Sequence, residues 1–274
     1  MENSPLVSII TIVYNGEKYI ENTILSVINQ SYKNLEYIII DGGSTDNTVS
    51  IIKKYQDQIT SWISEKDKGI SDAFNKGIEK ATGKIIGILN SDDWYEVNTI
   101  QQVVEHIKEY DIVYGDLRFF KKEKIDFVLK GDHHLLDQHM TVNHPTVFIK
   151  KEIYQKYGLF DDAYVCAMDY DLMLRLKVNG CSFKYIPAVL ANMRWLGNSD
   201  KIWLIGCKET MQIKNKYLPN KKTYNLLFFI RHVIGITTSK YLEKFNFRFL
   251  VNFYRRFSAQ KKYMHDPAEF SKKL

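Results

Sequence analysis

Cysteine is scarce in this chain: there are three in 274 residues, Cys166, Cys181 and Cys207. An odd number with no short Cys-x-x-Cys pair argues against a disulfide scaffold and a cysteine zinc site, and fits a reducing, cytosolic compartment. Proline occurs five times, and no Pro/Gly-rich tract marks a linker, nor is there an internal repeat or a low-complexity segment. No stretch reaches the roughly 18 uninterrupted apolar residues of a membrane span. The first twenty residues lack a basic n-region and their apolar run breaks at Tyr14-Asn15-Gly16, so they read as a first strand and not as a signal peptide. What is present is 45% hydrophobic and 26% charged, an ordinary globular composition, long enough for one large domain with an appendage.

The net charge of +6 is unevenly spread. Residues 1–200 carry 22 Lys and Arg against 28 Asp and Glu, whereas residues 201–274 carry 16 against 4. We therefore expect a mildly acidic body over 1–200, with halves at about 1–98 and 99–200, and a basic, helical C-terminal region over 201–274. Within that region residues 224–257 interleave large apolar side chains with Arg231, Lys240, Lys244, Arg248, Arg255 and Arg256. As helices these would show one greasy and one cationic face, which suits an anionic membrane surface. Packing on the body or in a homodimer is the next reading, and nucleic acid the least favoured.

Along the body, short apolar runs alternate with helical patterns. Strands are predicted at 7–13, 35–40, 62–64 and 84–89, and helices at 17–30, from about 44–46 onward, at 70–81 and at 99–108. Later come strands at 111–119 and 146–149, helices at 151–157 and 169–179, and one or two strands over 182–194 interrupted at Pro187. This rhythm implies an α/β fold, a mainly parallel central sheet flanked by helices, with ligands at the carboxyl ends of the strands.

Acids follow three of the predicted strands: Asp41, Asp67 and the pair Asp92-Asp93. On one rim such carboxylates can accept from a base N–H or from ribose hydroxyls, and a pair beside a diphosphate can hold a hard divalent cation. An Asp after a strand is also a common turn former or helix cap, and Asp46 reads as that. His133, His134 and His139 have no Cys or Glu at ligand spacing and read as surface-loop histidines.

The succession Val7-Ser8-Ile9-Ile10-Thr11-Ile12-Val13-Tyr14-Asn15, then Ile39-Ile40-Asp41-Gly42-Gly43-Ser44-Thr45-Asp46, then Asp67-Lys68-Gly69-Ile70 with Ala73-Phe74-Asn75-Lys76-Gly77, then Leu89-Asn90-Ser91-Asp92-Asp93 resembles the family 2 glycosyltransferases of the GT-A fold. The resemblance covers roughly residues 5–200. It implies a nucleotide-sugar site in which Thr11, Val13, Tyr14 and Asn15 line uridine, Asp41 binds the uracil edge, and Asp67, Lys68 and Gly69 close over base and ribose. Ser91-Asp92-Asp93 matches the family's metal-binding signature, which puts Ser91 in the nucleotide-sugar site, Asp92 on ribose or the sugar, and Asp93 on Mn²⁺ or Mg²⁺. Gly42 stands where many relatives have a second Asp.

The run Met168-Asp169-Tyr170-Asp171-Leu172 is similar to the segment that carries the general base in such enzymes, with Met168 in place of the frequent Glu. The resemblance makes Asp169 the base that deprotonates the acceptor hydroxyl. Asp171, by contrast, reads as a dipole-complementing acid or an acceptor contact. His144, in Asn143-His144-Pro145-Thr146, is an acceptor or phosphate contact, and Arg194 and Asn198 lie in a stretch that closes over the donor diphosphate. The expectation is an inverting, metal-dependent hexosyltransferase that uses a UDP-sugar and a lipid-linked glycan acceptor in bacterial surface polysaccharide assembly (O-antigen, lipopolysaccharide or capsule). It would act at the cytoplasmic face of the membrane. A nucleotidyltransferase is a rival reading, but the loop Val13-Tyr14-Asn15-Gly16-Glu17 has no Lys or Arg for a triphosphate. A non-catalytic nucleotide-sugar-binding protein is the other.

Overall fold

A computed structural model describes residues 4–121, 123–194, 202–244 and 264–265. The first half is the anticipated alternation: β1 (Val7–Val13), α1 (Ile20–Ile28), β2 (Leu35–Asp41), α2 (Thr48–Lys54), β3 (Ser61–Ser64), α3 (Ile70–Lys80) and β4 (Ile85–Asn90). A two-residue strand, β5 (Trp94–Tyr95), and α4 (Thr99–His106) follow. The second half holds β6 (Ile112–Lys121), β7 (Lys124–Leu129), β8 (Phe148–Lys150), α5 (Lys151–Tyr157), α6 (Met168–Val178) and β9 (Phe183–Arg194). Two long helices, α7 (Trp203–Tyr217) and α8 (Lys222–Lys244), and a short strand, β10 (Met264–His265), complete it.

Strands β3, β2, β1 and β4 are parallel neighbours in that order, and β8 joins β4 antiparallel before β6. Strand β6 is flanked by β7 antiparallel and by β9 parallel. Period-two alternation divides the core. Ile10, Ile38 and Ile40 pack with Ala73, Phe74 and Ile78 of α3 and with α6 on one face. Val7, Ile9 and Ile39 pack with Ile20, Ile24 and Val27 of α1 and with α4 on the other. Gly77 lets α3 lie directly on β1, since a Cβ there would fall 2.3 Å from Ile10 Cγ2.

Pro187 does not split the last strand. The β6–β9 register shifts between Tyr114–Tyr185 and Asp116–Val189, so an irregularity absorbs the residue that has no N–H to give. Strands β5 and β7 lack a clear sequence signal, the first being two residues long and the second mostly exposed.

The change of charge at 200 does not coincide with a change in packing. Ile213 and Lys214 of α7 are fully buried, Cys207 and Glu209 nearly so, and Ile213 joins the core cluster that contains α6.

Candidate active site

The parallel registers bring the predicted acids to one rim. Val13 lies beside Asp41, Asp41 beside Ser64, and Ile12 beside Asn90, so β1, β2, β3 and β4 all end together. Loops from different strands are then laced across that rim. Asn15, at φ 50°, receives the Thr45 N–H on Oδ1 at 2.9 Å and donates its own N–H to Ser44 Oγ at 2.8 Å. Asp46 accepts from Thr48 N at 3.0 Å and from Glu17 N at 3.1 Å, acting as a turn former just before Asn47, the N-cap of α2.

Asp41 is fully buried. Its Oδ2 accepts from Ser44 N at 3.0 Å and Ser64 Oγ at 2.6 Å, and Ser44 Oγ donates to Oδ1. An ionised carboxylate offers about four lone-pair sites, so three donors leave about one for a ligand. Asp67 sits against the same turn: a Cβ on Gly42 would lie 2.3 Å from Asp67 Oδ2. Any side chain at 42 would therefore require the Asp67 carboxylate to move. Asp67 Oδ1 accepts from Gly69 N at 3.0 Å, and Lys68 and Gly69 are exposed beside it at the start of α3.

Of the four residues expected to line uridine, the structure places two elsewhere. Thr11 is fully buried with its hydroxyl accepting from Tyr37 Oη at 3.1 Å, and Val13 is 4% exposed in the core. The two are on one face of β1, which points them under α1 instead of into the cleft. Tyr14 and Asn15, beyond the strand, are exposed.

The turn after β4 carries Ser91, Asp92 and Asp93, with Thr23 of α1 donating to the carbonyls of Ser91 (2.8 Å) and Asp93 (2.7 Å). Ser91 also faces the first loop, 3.1 Å from where a Cβ on Gly16 would lie. Asp93 is 1% exposed, and among the described residues its Oδ1 has no hydrogen-bond partner. Burial first, then the charge of Asp92, pushes its carboxyl well above the usual carboxylate range, against weaker opposing effects from Asn90 and Arg194. Burial raises Asp92 as well. Trp94 pairs antiparallel with Asn192, a register that sets Arg194 opposite Asp92. The guanidinium there is held between the rings of Trp94 (4.3 Å) and Tyr19 (4.5 Å) and donates to the Asp92 carbonyl at 2.9 Å.

Asp169 is the second residue of α6. Its Oδ1 lies 3.8 Å from His144 Nδ1, with the side chains 29% and 14% exposed. Both open on a pocket of about 10 Å³ lined by Ile88, Met140, Tyr154, Phe160 and Met173 among others. Ile88 is on β4, the strand that leads into the acidic turn. Phe74 packs in tilted ring contacts against His144 at 5.0 Å and Phe160 at 4.9 Å, and Asn75 holds the Phe160 backbone through two bonds of 2.9 and 3.0 Å. His144 is therefore the neighbour of Asp169.

A family model, Glycosyl transferase family 2, matches residues 8–172, more than half of the chain. The chain belongs to that family. This family 2 member is 34% identical over 192 residues to an uncharacterized glycosyltransferase of Rickettsia prowazekii, covering 63% of this chain and 58% of that protein. It is 31% identical over 220 residues to one of Haemophilus influenzae, covering 72% and 68%. The chain thus spans under two thirds of the Rickettsia relative's length. Among solved structures, the mannosyltransferase PcManGT of Pyrobaculum calidifontis, in complex with GDP-Man and Mn²⁺, superposes with a TM-score of 0.66 at 16% identity, over 96% of this chain and 85% of that one. S. aureus TarS 1–349 gives 0.62 at 16% identity, over 81% and 69%. The fold class is accordingly α/β of the GT-A type.

Other sequence expectations are relocated. Asp171 leaves the candidate site: it is fully buried, accepting from Tyr217 at 3.0 Å and Lys216 at 3.2 Å, with Arg175 at 3.4 Å, and it joins α6 to α7. His133 is not a surface-loop residue, for its Nδ1 meets Tyr114 Oη at 2.7 Å and its ring stacks on Phe183. His139 is half-buried beside Phe228. Asn198 lies outside the described residues. The partners of Asp41 and Arg194, namely Ser44, Ser64, Tyr19 and Trp94, escaped the sequence reading. For Tyr19 and Trp94 the signal was an aromatic just beyond each acidic or glycine turn.

Proposed function

We propose that this protein is an inverting, metal-dependent glycosyltransferase that moves a hexose from a UDP-sugar to a hydroxyl of a lipid-linked glycan in bacterial surface polysaccharide assembly. The observation that carries the reading is the buried, half-unpaired Asp93 beside Asp92 at the rim where Asp41 and Asp67 converge. Among the described residues no group of three or more His, Cys, Asp or Glu could hold a metal ion alone. One or two carboxylates completed by substrate phosphates is, however, the usual arrangement for Mg²⁺-type cations. The orphaned Oδ1 of Asp93 suits that role, and Asp92 adjoins it. Bound there, a divalent cation would neutralise charge on a departing diphosphate.

The chain's own residues would divide the rest of the work. Asp41 has about one acceptor site free for a base N–H, and Asp67, Lys68 and Gly69 flank the ribose. Arg194, already caged beside Asp92, offers a cation to the diphosphate. Asp169 takes the acceptor proton as the acceptor oxygen bonds to the anomeric carbon. The C–O bond to the diphosphate breaks on the opposite face, so the configuration inverts and UDP leaves. His144 and the Phe74–Phe160 wall keep Asp169 partly dehydrated.

Membrane attachment is part of the proposal. Leu227, Ile230, Ile234 and Tyr241 recur at helical spacing along α8 and are 62%, 43%, 60% and 63% exposed, with Arg231 also exposed. No described helix is long and apolar enough to cross a membrane. The remainder of the 224–257 stretch, from 245 on, lies outside the described residues. The test is nucleotide release from a panel of UDP- and GDP-sugars, with and without Mn²⁺, on a synthetic lipid-diphosphate-sugar acceptor. Metal-dependent release lost in Asp93→Ala and in Asp169→Asn, while Asp169→Asn still binds UDP, is the expected result. Tight nucleotide binding with no transfer from any donor would favour the non-catalytic rival.

A further inference from the structure

Helix α7 arises from the basic segment, in which Glu209 is one of only four acids. Its side chain is nevertheless directed into the protein, 7% exposed. Oε1 accepts the N–H of Val165 at 2.9 Å, and Oε2 accepts those of Cys166 at 2.8 Å and Ala167 at 2.9 Å. These are the three residues that lead into α6, and Asp169 follows two residues later. Ala167, at the N-cap position, has no side chain able to cap the helix and none caps it locally. Buried N–H groups at a helix start must find an acceptor. Here one carboxylate from a helix some forty residues downstream serves three, through charge-assisted bonds stronger than a neutral acceptor makes.

We propose that Glu209 is a positioning residue for Asp169: by holding the Val165–Ala167 backbone it sets where the first turn of α6 presents the base. The proposal rests on the reading of Asp169 as the base. Three consecutive N–H groups held by one rigid planar group leave this lead-in segment little freedom to fray. The link between Asp171 and the Lys216–Tyr217 pair holds the same two helices at a second place. Asp169 has no comparable anchor of its own among the described residues, since its Oδ1 makes no hydrogen bond there and the charged partner found for it, His144, is 3.8 Å away. Its position is therefore inherited from the backbone that Glu209 holds. A displacement on the order of 1 Å in a reacting group costs about 100-fold in rate, so a loosened lead-in segment is read in turnover before it is read in nucleotide binding.

The experiment compares Glu209→Gln and Glu209→Asp with a matched control, Glu36→Gln. Glu36 is equally buried at 7% and accepts from Ser8 and Thr82 at the end of β2 opposite Asp41. Turnover, donor KM, UDP affinity by calorimetry and amide exchange over residues 161–172 are measured on the full chain. Glu209→Gln is expected to lower kcat by about 10- to 100-fold while donor KM and UDP affinity stay within about twofold. Exchange at 165–170 is expected to rise, and Glu209→Asp, which keeps the charge, to recover part of kcat. Glu36→Gln is expected to lower the unfolding temperature without changing kcat well below it. The proposal is overturned if Glu209→Gln keeps kcat within about twofold of wild type, if kcat and UDP affinity fall together, or if exchange over 165–170 is unchanged. If Glu209→Gln does not fold, Glu209→Asp decides on the same readouts. A wild-type chain that binds UDP but transfers no sugar overturns the base assignment and this proposal with it, whereas exchange then still reports whether Glu209 holds the segment.

Discussion

Acid sensitivity is expected to be built into His133. Burial, with a smaller contribution from the neighbouring His134, pushes its imidazole down from 6.5 to about 4. Its backbone N–H donates to Tyr114 Oη at 3.0 Å while Nδ1 lies 2.7 Å from the same oxygen, so in the tautomer with Nδ1 unprotonated the neutral ring accepts the tyrosine O–H hydrogen bond. Protonating Nδ1 strips that proton of its acceptor, on a tyrosine that is 1% exposed. Between pH 6.5 and 4 the unfolded chain binds the proton that the native state refuses. Stability from this site is therefore full above about 6.5 and lost as pH falls through about 4. A fall from 6.5 to about 4 corresponds at most to about 3.4 kcal/mol, and partial exposure reduces this to about 1–2 kcal/mol. In His133→Phe the stack on Phe183 is kept and the titration removed, at a cost of about 1 kcal/mol for the unmatched Tyr114 hydroxyl. Wild type should be the more stable at pH 7.5, and its advantage should vanish or reverse by pH 4.5, a relative shift of roughly 2–5 °C in Tm. Thermal unfolding of both proteins at half-unit steps cancels every other titration. A wild-type-minus-variant difference that stays flat from pH 7.5 to 4.5 would refute the reasoning.

Three further outcomes are expected. Asp93→Asn removes a buried acid whose folded-state pKa is raised; such a group's stability is full below the unfolded value near 4 and lost as pH rises through the folded value. The variant should therefore melt no lower than wild type at pH 8 in chelator, yet gain nothing from Mn²⁺ with UDP, which differential scanning fluorimetry reads; equal stabilisation of both proteins would count against Asp93 as a ligand. Arg194→Lys keeps the charge but loses the planar stack between Tyr19 and Trp94, and should raise donor KM about tenfold, for about 1–2 kcal/mol, as initial rates over a donor titration will show. Gly77→Ala forces a methyl within 2.3 Å of the fully buried Ile10; overpacking of about 1–3 kcal/mol should outweigh the roughly 1 kcal/mol gain in helix propensity, visible as a lower urea midpoint.

Legibility differed between kinds of residue. Asp41, Asp67, Asp92 and Asp93 could be marked on the chain because each follows an apolar run, and parallel strands that start in register also end in register. Thr11 and Val13 were misplaced because motif spacing does not say which face of β1 meets α1. His133 was misplaced because its environment is made by Tyr114 and Phe183, 19 and 50 residues away. Glu209 carried no local signal beyond being an acid among many bases.

The alternation of strands and helices, the parallel half of the sheet and the rim on which the acids gather are readable from the amino-acid order alone, because they follow from period-two and period-3.6 burial and from the short range of turn chemistry. Which side chains share an environment emerges with the packing of distant elements. The β5–β9 pairing sets Arg194 over Asp92, α3 presses Phe74 onto His144 beside Asp169, and α7, though continuous with the basic tail, is bound into the body through Glu209 and Asp171. The physical reason is that pairing register and helix docking are settled by the summed burial of residues far apart in the chain, and no local window of sequence contains that sum.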